Sequence, residues 1–236
     1  MPLPRSTRRP APFPSAPPAV ADSSSTRQRL LHTGLRLFAQ HGYAKTSTRA
    51  IAEHAQANVA AISYHFGDKA GLYRAAFLEP FWSEASTADV AADQPLRETL
   101  RRLYDGFIEP LRHGDLAQLS VKLHCREMLE PAGLWGEEIE VGIAPVHRAL
   151  VAALCRHLGL KRPDVEMQRL AFCIAGLGVH LHVEHDVINA LAPRLNRIPH
   201  AFERWADRLV SYAEAMVAAE AQRRAAHIAT KPKARR

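Results

Sequence analysis

The fold of this protein is decided by residues 26–77, which read TRQRLLHTGLRLFAQHGYAKTSTRAIAEHAQANVAAISYHFGDKAGLYRAAF. In the first part of this stretch, five residues recur at the spacing of a single helix face: Leu30, Gly34, Leu37, Phe38 and His41. That spacing predicts a helix that starts near Thr26 and stops at Gly42, because glycine readily takes the left-handed conformation that ends a helix.

Three shorter helices are predicted after this stop. Ser47 begins a helix over 47–55, residues 56–57 form a short turn, and Asn58 is a good N-cap for a helix over 58–66. Residues 67–68 break that helix, and Asp68 caps a fourth one. Two short helices joined by so tight a turn are typical of a helix-turn-helix module, which places its second helix in the DNA major groove.

The predicted helix-turn-helix has side chains suited to DNA. Ala60 and Ala61 are small enough to let the second helix approach the bases, and the helix N-terminus at Asn58 favours a phosphate. Contacts from this helix are expected at Asn58, Val59, Ala60, Ala61, Ser63, Tyr64 and His65, with base preference set by Val59 and Ala61. Phosphate contacts are expected from Thr46, Ser47, Arg49, Tyr64 and Lys69.

The composition of the whole chain suits a polyanionic partner. Its 236 residues carry a formal net charge of +7, and 47% of them are hydrophobic, which is enough to bury a core. Three widely separated cysteines without CxxC spacing argue against a disulfide framework and a thiolate zinc site. No apolar run is long enough to span a bilayer. We therefore expect a cytoplasmic protein without a membrane partner.

Composition and periodicity divide the chain into four regions. A Pro/Arg-rich leader over 1–24 is predicted to be disordered, because its prolines block regular structure. The helix-turn-helix domain is expected over 25–78, a ligand-binding and dimerisation domain over 79–226, and a basic disordered tail over 227–236. Helical periodicity recurs near 95–113, 116–130, 137–158, 164–190 and 199–226. The predicted fold is all-α, with an N-terminal three-helix helix-turn-helix domain before a larger C-terminal helical bundle.

The N-terminal stretch resembles the TetR family of bacterial transcriptional regulators. The resemblance rests on Leu37, Phe38, Gly42, Tyr43, Thr46, Ser47, Ile51, Ala52, Ile62, His65, Phe66, Lys69, Leu72 and Tyr73. It implies an all-helical homodimer in which each N-terminal domain reads one half-site of a palindromic operator. It also implies C-terminal domains that dimerise and bind a small-molecule inducer. Thr46 and Lys69 match phosphate-contacting positions of the family, and residues 58–65 match its recognition helix.

Two residues depart from the TetR pattern. The family usually has glycine where Gln56 stands, and Gln56 should strain the turn if this position needs a positive φ. It usually has tyrosine where Ser63 stands, and the adjacent Tyr64 could replace the lost phosphate contact. The run 60–69, with residues 126–127 and 145–146, resembles the CecR-type subgroup, whose members are associated with control of drug export.

The C-terminal region contains six candidate ligand residues, Phe107, His124, Arg126, Met128, Trp135 and His180. His124 or Arg126 could orient an anionic or polar ligand, although Arg126 and Glu130 also have the spacing of an ordinary helical salt bridge. Trp135 follows a Pro-Ala-Gly loop and could gate a pocket or anchor the core. The apolar candidates could equally be plain core residues.

A dense polar cluster over 180–186 offers an alternative function. His180 and Glu184 stand at i, i+4, as do His182 and Asp186, and that spacing can present two metal ligands on one helix face. The HExxH pattern is absent, so polar residues of a dimer interface or pocket are the competing interpretation.

Taken together, the sequence predicts a regulator and not an enzyme. The nucleophile elbow, the phosphate-binding loop and the dinucleotide-binding glycine pattern are all missing, and we expect no cofactor. We expect a ligand-responsive homodimer that represses by binding a double-stranded DNA operator and is released by a small-molecule inducer. A metal-responsive regulator using the 180–186 cluster remains the alternative.

Overall fold

The computed structural model describes residues 20–79 and 94–230, and this described part of the chain is helical without any strand. The all-α prediction is therefore confirmed. The N-terminal domain consists of α1 Val20–Lys45, α2 Thr48–His54, α3 Ala60–Phe66 and α4 Lys69–Leu78. The C-terminal domain consists of α5 Leu96–Arg112, α6 Asp115–Leu129, α7 Trp135–Glu138, a π-helical turn Ile139–Ile143, α8 Ala144–His157, α9 Val165–Val183, α10 His185–Leu191, α11 Arg194–Arg197 and α12 Ala201–Thr230.

Helical structure extends into both segments that the sequence predicts to be disordered. Helix α1 begins at Val20, so residues 20–24 are helical and not part of a leader. The last proline of the predicted leader is Pro18, and residues 19–33 contain neither proline nor glycine, so nothing in them opposes a helix. Helix α12 continues to Thr230, past the predicted start of the tail at 227, because the next breaker is Pro232. The remaining parts of both predicted segments, 1–19 and 231–236, lie outside the described residues.

Two long predicted helices are each divided. The segment predicted over 137–158 contains α7, the π-helical turn and α8. The π turn lies just before Pro145, which has no N–H to donate to the carbonyl one α-helical turn earlier. The segment predicted over 164–190 is divided into α9 and α10. Glu184 lies between them, and its φ of −101° and ψ of 10° leave the helical region.

The buried apolar residues form two cores. One core joins α1, α2, α3 and α4, and its largest fully buried side chains include Phe38, Ile51 and Leu72. The other joins α5, α8, α9 and α12 around Tyr104 and Leu154. These cores follow the predicted division between residues 78 and 79, with one exception in α6. Leu123 of α6 is fully buried in the N-terminal core, so this helix packs against the small domain.

Among the described helices, none combines the length and apolarity that crossing a membrane requires.

Candidate nucleic-acid interface

Short-range hydrogen bonds define both ends of the helix-turn-helix. The Ser47 side chain accepts a hydrogen bond from the Ala50 N–H at 3.1 Å and caps α2. The Asn58 Oδ1 accepts from the Ala60 N–H at 2.9 Å at the start of α3. Both residues therefore have the capping role that the sequence predicts, since their oxygens pair amides that a helix start leaves without partners.

The turn between α2 and α3 requires a left-handed residue, and that residue is Gln56. Its φ is 50°, one of only two positive values among the described non-glycine residues. The predicted strain at Gln56 is confirmed, because a Cβ atom is disfavoured in this conformation and glycine carries none.

Helix α3 has one buried and one exposed face. Ile62 is 1% exposed and packs into the N-terminal core, which fixes the helix from behind. On the outside, Tyr64 is 80% exposed and Val59 is 44% exposed. Ser63 is also exposed, and the His65 ring stands edge-on to Tyr64 with 4.8 Å between centroids. A helix held in this way can enter a groove without rearranging its own core.

Basic side chains flank α3 on both sides in the sequence. Lys69 begins α4, where Asp68 caps the helix by accepting from the Gly71 N–H at 2.8 Å. The Lys69 ammonium lies 4.2 Å from the centroid of the Tyr43 ring. Arg49 is exposed on α2 and makes no ion pair with another described residue. Lys69 and Arg49 are thus free of acidic partners in the described chain and can meet an anion.

The phosphate contact predicted for Thr46 needs correction. Thr46 is only 3% exposed, and its hydroxyl donates to the Gly42 carbonyl oxygen at 2.8 Å. Gly42 has a φ of 79° and interrupts α1, and the same hydroxyl lies 3.2 Å from the Leu37 carbonyl oxygen. The Thr46 hydroxyl therefore stabilises the turn between α1 and α2 and does not face solvent.

Of the predicted ligand residues, Phe107 and His180 lie in the C-terminal bundle, and Met128 lies exposed on α6. The Phe107 ring fills the space above Gly178, where an added Cβ would come within 2.2 Å of the ring. His180 Nδ1 is hydrogen-bonded to the Leu177 carbonyl of its own helix, and Met128 is 43% exposed. Phe107 is thus a packing residue between α5 and α9, which was the competing interpretation.

The other three predicted ligand residues lie on α6 and α7, near the DNA-binding domain. The His124 ring stacks on Phe77 of α4 with 4.1 Å between centroids, and its Nδ1 donates to the Ser120 carbonyl at 2.8 Å. Trp135 is half-buried and begins α7 after the Pro-Ala-Gly loop, and its role as a pocket gate or a core anchor stays a prediction. The six candidates do not share a common set of neighbours.

Arg126 of α6 contacts helix α1 of the N-terminal domain. Its Nη1 donates to Glu130 Oε2 at 2.7 Å, which confirms the predicted helical salt bridge. Its Nη2 donates to the Gln40 carbonyl near the end of α1 at 3.3 Å. This contact uses the guanidinium to join α6 to α1, and the ligand contact suggested for Arg126 stays a prediction.

Sequence reasoning missed the most deeply buried charged residue, Glu127. It is 0% exposed, and Tyr73 of α4 donates to its Oε2 at 2.5 Å. A signal was present, since Glu127 stands at i+4 from the buried Leu123 and at i+7 from the buried Ser120. An acidic residue on the apolar face of a helix must be paired, because an unpaired buried charge is strongly unfavourable.

The structure does not support a metal site at 180–186. No group of three or more metal-ligating side chains is assembled anywhere in residues 20–79 or 94–230. Burial lowers the pKa of His182, the effect being opposed by a hydrogen bond to the Phe107 backbone. His185 instead lies 3.3 Å from the Asn189 amide, and Asp186 is exposed. His185 also lies 3.8 Å from Asp186, but among the described residues no group of three metal-ligating side chains meets at a common centre.

Comparison with known proteins agrees with this architecture. Residues 30–76 match the family of bacterial regulatory proteins described as the tetR family. Residues 96–220 match the C-terminal domain of the HTH-type transcriptional dual regulator CecR, and this match alone spans more than half of the chain. The two matched regions correspond to the two apolar cores.

Individual relatives show the same similarity. The dual regulator CecR of Shigella flexneri is 30% identical over 164 residues, covering 64% of this chain and 73% of that protein. The HTH-type transcriptional repressor AcnR of Corynebacterium diphtheriae is 33% identical over 161 residues, covering 65% and 78%. A TetR-like transcriptional regulator from Rhodococcus sp. RHA1 shares the fold with a TM-score of 0.58 at 19% identity, covering 86% of this chain and 99% of that chain. The chain therefore belongs to the TetR family of bacterial regulatory proteins, with a C-terminal domain of the CecR type.

Proposed function

We propose that this protein is an effector-responsive transcriptional repressor that binds a palindromic operator as a homodimer. The observation that carries the proposal is the exposed face of α3, where Val59 and Tyr64 project outward while Ile62 holds the helix from behind. The major groove is wide enough for one such helix, and its base edges distinguish all four base pairs. The proposal assigns the chain no catalytic step and places its action in the bacterial cytoplasm.

The roles of the DNA-contacting residues follow from their positions. Val59, Ala60 and Ser63 would face base edges, with Asn58 and His65 at the two ends of the reading surface, whereas Ala61 is partly buried against the N-terminal core. Tyr64 is long and exposed, which suits a phosphate contact beside Ser63. Ser47, Arg49 and Lys69 would contact phosphates on either side and set the register of α3 in the groove.

The dimer would form through α9 and α12. Four apolar side chains stand exposed along α9 at i, i+7, i+14 and i+18: Val165 at 65%, Phe172 at 62%, Val179 at 39% and Val183 at 61%. An open groove of about 340 Å³ lies beside them between α9 and α12. A row of exposed apolar residues of this length marks an interaction site, and a second copy covers it by presenting the same surface in return.

The effector would bind in the C-terminal domain and act by population shift. A small molecule releases a repressor only if it binds the conformation with unsuitable α3 spacing more tightly than the DNA-binding conformation. Among the original candidates, His124 and Trp135 lie on the helices that contact the DNA-binding domain, so we favour the neighbourhood of α6 and α7. The relatives include a named repressor, AcnR, which supports repression as the sign of control.

Selection of genomic fragments by the purified protein tests the proposal. We expect enrichment of a palindrome whose half-site centres lie about 34–36 Å apart, the distance of one helical turn. A reporter driven by the enriched promoter should rise when the gene for this protein is deleted. Enrichment of no common sequence would contradict operator binding, and a reporter that falls on deletion would contradict repression. The genes beside the enriched fragments would then indicate the class of effector.

A further inference from the structure

A single carboxylate, that of Glu127, is shared between the two domains. It is completely buried near the end of α6. Its Oε2 accepts a hydrogen bond from the Tyr73 hydroxyl of α4 at 2.5 Å. Its Oε1 accepts from three consecutive backbone N–H groups of the loop before α7, at Ala132 2.9 Å, Gly133 2.9 Å and Leu134 2.7 Å. One oxygen therefore serves the DNA-binding domain and the other serves the C-terminal domain.

The protonation states favour this arrangement. Burial acts to raise the pKa of Glu127, but the hydrogen bonds from Tyr73 and the three amides outweigh it and leave the pKa below its usual value. Burial and the neighbouring carboxylate raise the pKa of Tyr73, so its phenol keeps the proton that it donates. Hydrogen bonds to an ionised acceptor in an apolar surrounding are stronger than neutral ones.

Neighbouring contacts support the same junction from both sides. Arg74 of α4 makes two hydrogen bonds to Glu137 of α7, at 2.6 and 2.5 Å. This pair is exposed on the Arg74 side, so we assign it a minor energetic role. The His124 ring stacks on Phe77, one helical turn after Tyr73. Tyr73, Arg74 and Phe77 of α4 thus each contact a side chain of α6 or α7.

The orientation of α4 controls the position of the reading helix. Only residues 67–68 separate α3 from α4. A rotation of α4 about its contact with α6 would therefore carry α3 with it. In a dimer, that rotation changes the distance between the two reading helices, and operator binding depends on that distance.

We propose that Glu127 is the positioning residue that holds α4, and with it α3, at the operator-binding spacing, and that a shift of the 132–134 loop releases it. The proposal rests on the proposed function for its consequence at DNA. The hydrogen bonds themselves exist in the free protein and can be tested without DNA. Glu127 contacts no DNA in this scheme and acts only through Tyr73.

The test compares Tyr73→Phe with Tyr104→Phe in the full-length protein. Each change removes one hydroxyl from a buried tyrosine, since Tyr73 is 3% and Tyr104 is 0% exposed. The Tyr104 hydroxyl donates to the Ile174 carbonyl at 3.0 Å inside the C-terminal bundle, far from α4 in the hydrogen-bond network. Tyr104→Phe is therefore a matched control for the loss of a buried hydrogen bond.

Two readouts are measured on both variants. In hydrogen exchange without DNA, amides of residues 69–79 should exchange roughly tenfold faster in Tyr73→Phe and within about twofold of wild type in Tyr104→Phe. On DNA, the preference for the selected operator over one with its half-sites one base pair further apart should fall about fivefold in Tyr73→Phe alone, because a looser α4 tolerates more spacings. A purely structural tyrosine would lower stability without altering spacing preference.

The outcomes separate the two proposals. Unchanged α4 exchange in Tyr73→Phe, or an equal rise in both variants, overturns the role of Glu127. Should the wild-type protein select no operator, the proposed function fails, while the exchange comparison still decides whether Glu127 holds α4. If Tyr73→Phe does not fold, the test uses Glu127→Gln with the same two readouts. The glutamine amide keeps an oxygen that can accept from the loop N–H groups, but the side chain loses its charge.

Discussion

At the scale of the residue, the clearest departure from an unstrained backbone in the helix-turn-helix is Gln56. A left-handed conformation costs a residue with a Cβ roughly 1–2 kcal/mol, and glycine adopts it freely but loses about 0.5–1 kcal/mol more entropy on folding. Because the first effect exceeds the second, Gln56→Gly should stabilise the protein by about 0.5–1 kcal/mol. Thermal and urea unfolding of the purified variant measure this change.

The control for Gln56→Gly is the same substitution at Gln118. Gln118 lies in α6, is exposed, and its N–H donates to the Gly114 carbonyl at 3.2 Å. Glycine in a helix costs about 1 kcal/mol relative to good helix formers, so Gln118→Gly should destabilise by a similar amount. Two variants that shift stability in the same direction would show that the backbone conformation at Gln56 is not the cause.

Lys69 supports a second prediction at the residue scale. Its ammonium stands over Tyr43 and has no acidic partner in the described chain, so it is available to a phosphate. Lys69→Ala should weaken binding about equally on operator and random DNA, and should lower the slope of log affinity against log salt by about one. Lys161→Ala, in the exposed loop before α9, is the charge-matched control and should leave the slope unchanged. A slope unaltered by Lys69→Ala would remove Lys69 from the phosphate contacts.

At the scale of the element, α3 should separate specificity from affinity. Val59 is 44% exposed at the start of the helix, where its methyl groups can contact a thymine methyl but cannot donate a hydrogen bond. Val59→Asn offers a bidentate partner for adenine and should change the preferred base at one position of each half-site, with a discrimination of about 1–3 kcal/mol. Binding-site selection with the variant measures this. An identical selected sequence, or equal loss on operator and random DNA, would show that α3 is not the reading helix.

How far the sequence predicts an element depends on the range of the interactions that form it. Caps at Ser47, Asn58 and Asp68 are predictable, because each side chain bonds an amide two or three residues away. The left-handed turn at Gln56 is predictable for the same local reason. Thr46 was misassigned, because whether a hydroxyl faces solvent or a neighbouring carbonyl depends on how α1 ends. Local signals also failed to divide α9 from α10 at Glu184.

The candidate site shows the same dependence on how far apart in the sequence the interacting residues are. Periodicity predicts the exposed position of Tyr64, which lies two residues after the buried Ile62 and so points to the other side. It does not predict the exposure of Val59, which lies three residues before Ile62 on the same side of the helix. The contact of Arg126 with Gln40 and that of Glu127 with Tyr73 could not be predicted, because these partners are 86 and 54 residues away in the chain. Long-range pairing of this kind is decided by the docking of α6 against α1 and α4, for which the sequence of α6 alone has no signal.

At the scale of the whole molecule, the proposed dimer makes operator binding depend on the α9 face, and Phe172 lies near the middle of that face. A two-fold axis makes both copies present the same surface to the interface, so Phe172→Glu would bring two carboxylates into an apolar interface and remove the ring that stacks on His147. We expect this variant to shift from dimer to monomer in sedimentation equilibrium. A monomer contacts only one half-site, so its operator affinity should be lower by about 100-fold or more, because the affinity gained from binding two half-sites at once is lost.

The matched control is Leu129→Glu. Leu129 is 77% exposed on α6 and Phe172 is 62% exposed on α9, so both changes place the same charge at an exposed apolar position. Leu129→Glu should remain dimeric and keep operator affinity within about twofold, since scattered exposed apolar residues carry no interface of their own. A Phe172→Glu protein that stays dimeric would place the dimer interface elsewhere on the molecule. A monomeric variant that keeps full operator affinity would instead show that one α3 helix is sufficient, and the palindromic-operator proposal would fall with it.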